Sequence, residues 1–168
     1  VDNTAPTSEA TIAKTSYGPS TWVAASTING TVSDAGSGVA TTTITIKHNY
    51  NGQYWNGTSW GDLIVDLPVT LSGDNWTYYI EQRFISDHNY TVTPTATDKA
   101  GNSATGTADS FTYDVTSPTV TISSTASGAT KISPIPMTVT FNEAVENFTI
   151  DDITVTNATT SNFATVSS

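Results

Sequence analysis

Hydroxyl residues recur at every second position in two stretches of this chain: Thr41, Thr43 and Thr45, and Thr93, Thr95 and Thr97. A period of two sends successive side chains to opposite faces of an extended strand. Thr, Val, Ile, Tyr and Phe, which fill these runs, suit a pleated and half-buried surface. No apolar stripe with the 3.6-residue helical period lasts three turns, so the pattern predicts an all-β chain. Strands are expected near residues 9–15, 22–33, 39–50, 63–71, 75–82, 89–97 and 110–114. Turn signals separate them at Asp34-Ala-Gly-Ser-Gly38, Asn51-Gly52, Asn56-Gly57, Ser72-Gly-Asp74 and Asp98-Lys-Ala-Gly-Asn102. Seven short strands at this spacing predict an antiparallel β-sandwich.

The opening Val1-Asp-Asn-Thr-Ala-Pro-Thr7 returns in outline as Tyr113-Asp-Val-Thr-Ser-Pro-Thr119, 112 positions later, with Asp2 and Pro6 matching Asp114 and Pro118. Proline fixes its own φ and biases its predecessor toward extended geometry, so Asp-x-x-x-Pro reads as a short stiff lead into a first strand. Two modules are expected, 1–114 and 115–168. The second has strands near 119–124, 136–142, 152–157 and 163–167, about half a domain. It is therefore expected to pair with another chain, to swap, or to be poorly ordered.

Charge narrows the partners. Fifteen acidic residues against five basic ones give a net charge of -10, which repels nucleic-acid phosphates and anionic lipid. No apolar run approaches the ~20 residues of a membrane-crossing helix. Cysteine is absent, which removes disulfides, thiolate nucleophiles and thiolate-bound zinc. The chain opens on Val1 without a basic and apolar leader, and is expected to be a segment of a longer polypeptide.

Gly30-Thr-Val-Ser-Asp-Ala-Gly-Ser-Gly-Val39, Tyr54-Trp-Asn-Gly-Thr-Ser-Trp60, Ala96-Thr-Asp-Lys-Ala-Gly-Asn102 and Asp114-Val-Thr-Ser-Pro118 resemble tandem bacterial Ig-like repeats of large surface proteins and adhesins. Pro134-Ile-Pro-Met-Thr-Val-Thr-Phe-Asn-Glu-Ala-Val145 and Phe148-Thr-Ile-Asp-Asp-Ile-Thr-Val155 resemble a second bacterial Ig-like type. The resemblance implies a sandwich followed by an incomplete second Ig-like module. It also implies an extracellular or cell-surface stalk that spaces other domains from the cell, with neighbouring modules of the same chain as partners.

In an Ig-like sandwich the lead-in segment and two of the loops share one end. That end would gather Asp2, Asn3, Asp34, Asp98 and Asn102, and Asp114 would occupy the equivalent position for the second module, whose loop offers Asn142, Glu143, Asp151 and Asp152. Calcium takes six to eight oxygen ligands from such groups, so Ca2+ is one reading of the set. Turn capping by Asp and Asn is the other. Tyr50, Tyr54, Trp55 and Trp60 gather near two Asn-Gly turns, which allows a carbohydrate-binding face as well as core packing. His48 and His88 have no sequence-local nucleophile or metal partner and read as exposed turn residues. No catalytic constellation emerges.

Overall fold

The computed structural model describes residues 1–14, 16–18, 22, 27–81, 83–85 and 87–165. Two units divide the chain, Val1–Thr116 and Ser117–Ser168.

In the first unit, alternation becomes a two-sheet sandwich. One sheet has the order β1 (Thr7–Thr11), β3 (Thr27–Ser33), β9 (Asn75–Tyr79) and β8 (Thr70–Ser72). The other runs β2 (Ser16–Tyr17), β12 (Asp109–Tyr113), β10 (His88–Asp98), β4 (Val39–His48), β5 (Tyr54–Trp55) and β6 (Trp60–Gly61). On this second sheet β11 (Ser103–Thr105) also pairs with β10, and β7 (Leu67–Pro68) with β4. Only the β2–β12 pairing is parallel among these strands. β4 and β10 lie side by side with Ile44 opposite Pro94 and Ile46 opposite Val92. Their even-numbered residues face inward, where Ile44, Ile46, Tyr90, Val92, Ala96 and Phe111 meet Ile28, Val32 and Trp76 of the first sheet. Each fully buried large aliphatic side chain contributes about 1.5–3 kcal/mol, so this interleaved core supplies much of the stability.

Two glycines permit close approaches. A Cβ on Gly30 would overlap the Glu9 carbonyl and the Trp76 ring, so its absence lets the indole lie across β3 and donate to the Thr31 carbonyl at 3.1 Å. Gly106 likewise makes room for Ser8. There β1 bonds sideways to the following segment: the Ala10 N–H donates to the Thr107 carbonyl at 3.0 Å, and the Thr107 N–H donates to that of Ser8 at 2.8 Å. One strand thus bonds to β3 on one side and to residue 107 on the other.

Several expected strands shift. The 9–15 run breaks after Thr11, and Ser16–Tyr17 belongs to the opposite sheet; Thr15 lies outside the described residues. Within 22–33 the strand begins at Thr27, and residues 23–26 lie outside the described residues, as does Gln82 of the 75–82 run. The 63–71 run divides into β7 and β8 on different sheets, because Pro68 has no N–H with which to continue a ladder.

The second unit contains a hairpin, β13 (Val120–Ser124) and β14 (Met137–Phe141). Val120 opposes Phe141 and Ile122 opposes Val139, which makes one face apolar and leaves Thr121, Ser123, Thr138 and Thr140 on the other. Phe148 packs edge-on to Phe141 and Phe163, with centroid distances of 5.0 and 5.7 Å. None of the described residues in this unit is fully buried. The expected strand at 152–157 is absent: Ile150–Asp152 forms a 3-10 turn, whose start is capped as the Asp152 carboxylate accepts the Thr149 N–H at 2.8 Å. Residues 163–165 are not a strand, and 166–167 lie outside the described residues.

Candidate metal centre

The lead-in segment, the β3–β4 loop and the β10–β11 turn meet at one end of the first unit. Each loop is organised by its own carboxylate. Asp34 accepts the Gly36 and Gly38 N–H groups on Oδ2, at 3.2 and 2.6 Å. Gly38, at φ 83°, takes the left-handed geometry that closes this loop. Asp98 accepts the Asn102 N–H and side-chain amide, each at 2.8 Å, and Gly101 at φ 95° completes that turn. Asp2 accepts the Thr4 N–H at 3.0 Å and reaches across to accept the Ser37 N–H at 2.6 Å. Gly36 is required there, since a Cβ would occupy the position of the Asp2 carboxylate.

Further bonds lace the three segments together. Asn102 Nδ2 donates to the Asp2 carbonyl at 3.1 Å, and the Ala100 N–H donates to the Ser37 hydroxyl at 3.1 Å. Residues about a hundred positions apart in the chain thereby become neighbours.

Asp2, Asp34 and Asp98 each present one carboxylate oxygen to a common point, all within 4.8 Å of one another. Oxygens that share one Ca2+ at ~2.4 Å lie no more than about 4.8 Å apart, so the separation fits that ion. The Asp34 Oδ1 atom is buried and accepts no hydrogen bond from the described residues. The one ion pair among those residues joins Arg83 to Glu81, so no cationic side chain contacts the three acids. Asp98 is 2% exposed. Burial raises its pKa, but donors from the Asn102 side chain and the Asn102, Gly101 and Ala100 N–H groups outweigh this and hold it below the ordinary value. Asp2 is also lowered, first by the Thr4 N–H and then by Ser37. Both acids are therefore ionised at neutral pH, the form a hard cation requires.

Other expected ligands fall elsewhere. Asn3 is exposed, and Asn102 turns its amide nitrogen toward Asp2 and Asp98, so it braces the carboxylates as a donor. Asp114 is distant from this point. It follows Tyr113, which pairs with His88 at the start of β10, whereas Asp98 ends that strand. Asp114 does repeat the local geometry of Asp2: it accepts the Thr116 N–H at 2.9 Å, as Asp2 accepts that of Thr4.

The aromatic cluster is largely interior. Trp55 is buried, Tyr54 is half-buried, and Trp60 leans on Tyr90 at 5.2 Å while donating its indole N–H to the Arg83 carbonyl at 2.8 Å. Trp55 therefore has no open ring face for stacking a sugar; Tyr50 remains 80% exposed. The reading of His48 as an exposed turn residue is overturned, because it is 1% exposed and its Nε2 lies 2.7 Å from His88 Nδ1. The even-numbered burial phase of β4 extends inward to position 48, and that phase was the available signal.

No curated protein matches the chain. The sequence model of a family described as bacterial Ig-like domain matches residues 114–168, so the segment from Asp114 onward is similar to a bacterial Ig-like domain, and the two antiparallel sheets of the first unit are consistent with an Ig-like β-sandwich.

Proposed function

We propose that this chain is an extender of a bacterial surface or secreted adhesin-type protein, spacing functional domains from the cell and stiffened by calcium. The observation that carries the reading is the placement of the first unit's two ends. Asp2 is bonded beside Asp98 at the finish of β10, while Tyr113 pairs with His88 at its beginning. β10 has 11 residues, whose first and last Cα atoms, at a rise of ~3.3 Å per step, lie about 33 Å apart. A module entered at one end and left at the other adds its own length to a series. The Asp-x-Thr turn at Asp2, repeated at Asp114, supports a recurring joint, with Pro6 and Pro118 fixing the chain beyond each.

Calcium on Asp2, Asp34 and Asp98 would tie the lead-in segment to both loops. Three carboxylates with a cation between them resist bending; without one they repel. Extracellular location follows from this reading, since an ion site of the weak extracellular kind, with Kd ~10⁻⁴ M, fills at ~1 mM Ca2+.

Spin labels at Asn3 and Val115 test the extender reading, with an expected separation of 3–4 nm. A distance under 2 nm would end it. For calcium, the measurement is thermal unfolding with Ca2+ and with chelator, where superimposed curves would remove the ion from the proposal.

A further inference from the structure

We propose that His48 and His88 form an acid-operated catch at the exit end of the first sandwich, closed while the pair holds one shared proton and opened when both rings are protonated. The proposal is independent of the calcium site, which lies at the opposite end of β10. His48 ends β4 and His88 begins β10, and their facing nitrogens are 2.7 Å apart. At that distance one ring must donate and the other accept. Two neutral rings share one proton between the facing nitrogens, and one added proton still leaves a cationic ring donating to a neutral one; only when both rings are protonated does each facing nitrogen carry an N–H, with two positive charges in contact, so that the rings must part.

Aromatic rings surround the pair, and among the described residues no carboxylate forms an ion pair with either imidazole. His88 is stacked on Tyr50 with centroids 4.7 Å apart, and His48 on Tyr90 at 4.9 Å. Trp60 of β6 closes another side of His48 at 5.7 Å. The titratable neighbours are thus Tyr50 beyond β4, Tyr90 on β10 and Tyr113, which faces His88 from β12. All three are neutral near pH 6. Lys47 adjoins His48 on the strand's other face, and Asp87 precedes His88 with its carboxylate accepting the Thr116 hydroxyl at 2.7 Å. Burial first, then the charge of His88, lowers the pKa of His48, with the Asn51 side chain opposing. The closed form therefore binds fewer protons than the open one. Acid begins to favour opening as pH falls below the ordinary His value of about 6.5, and the effect grows until the lowered value is passed.

Opening would be local. Beside the pair, the Asn49 N–H donates to the Asn89 carbonyl at 3.0 Å, and the Asp87 N–H to that of Tyr113 at 2.6 Å. Through Asp87 and Thr116 these bonds hold the segment 113–116 by which the chain leaves the unit.

Amide hydrogen exchange on the full chain at pH 7.5 and 5.0, corrected for intrinsic rates, tests the catch. Protection of the Asn49 and Asp87 amides is expected to fall at least tenfold at the lower pH, while that of Ile46 and Val92 holds. His88→Gln, at the half-buried partner, is expected to weaken the pH response, leaving only the part due to burial of His48. Ring-nitrogen NMR of the wild-type chain provides a readout that needs no variant: His48 is expected to titrate below the ordinary range, coupled to His88. Unchanged protection, the same response in His88→Gln, or a His48 titration at the ordinary value of about 6.5 would each overturn the proposal.

Discussion

The first antiparallel strand pair of each unit is built on one plan and meets a different fate. In the first unit Ser8 opposes Val32 and Ala10 opposes Gly30; in the second, Val120 opposes Phe141 and Ile122 opposes Val139. The first strands correspond at the 112-residue repeat, position by position, from Ser8 and Val120 onward. Yet Ala10 is 4% exposed and Ile122 is 64% exposed. The less apolar pair is buried because the sheet of β4, β10 and β12 lies over it. Alternation makes a hairpin, but a second sheet makes a core.

Trp76→Ala should break that comparison most severely. It removes a fully buried indole, and a loss of about 3–5 kcal/mol in unfolding free energy is expected by denaturant titration. An effect under about 1 kcal/mol would mean that the first unit's core is no better packed than the second's. Gly30→Ala comes next. Its added methyl meets the Glu9 backbone and the Trp76 ring, so a loss of about 1–3 kcal/mol is expected, whereas truncating the equivalent Val139 to Ala should leave the first unit's transition in place.

Gly36→Ala acts on the ion site. The methyl displaces the Asp2 carboxylate, and the Ca2+-dependent stabilisation of about 1.4 kcal/mol expected at tenfold excess over Kd should disappear from calorimetric scans. Its persistence would show that Asp2 is not a ligand. Ile122→Thr should have the smallest effect, within ±0.5 kcal/mol, because this side chain is already mostly in water. A larger loss would show that its face is covered in solution, and light scattering on the same sample would show whether a second copy covers it.

Much of the sandwich was legible in the residues. The Thr-rich alternations at 41–46 and 91–97 lie within β4 and β10, the strands at the centre of the larger sheet. The convergence of Asp2, Asp34 and Asp98 followed from placing turn residues on a sandwich topology, since both loops close around their own aspartates. What escaped was decided by register and distant neighbours. For Trp55 the sequence allowed both core packing and a sugar-binding face, and pairing Tyr54 with Lys47 settles its direction by turning it inward. His48 found its partner 40 residues away, beyond any local pattern. A strand was expected over 152–157, but Thr149 followed three positions later by Asp152 is also a helix-start signal, and the capped turn ends at that strand's first residue.

The sideways bonds from Ser8 and Ala10 to Thr107 have a consequence for crowded surroundings. Sandwich margins normally present a row of unused amides and carbonyls to which any stray strand can zip, and densely arrayed copies would then felt together side by side. Here the first strand offers little such selvage, because its outer row is already stitched to its own chain.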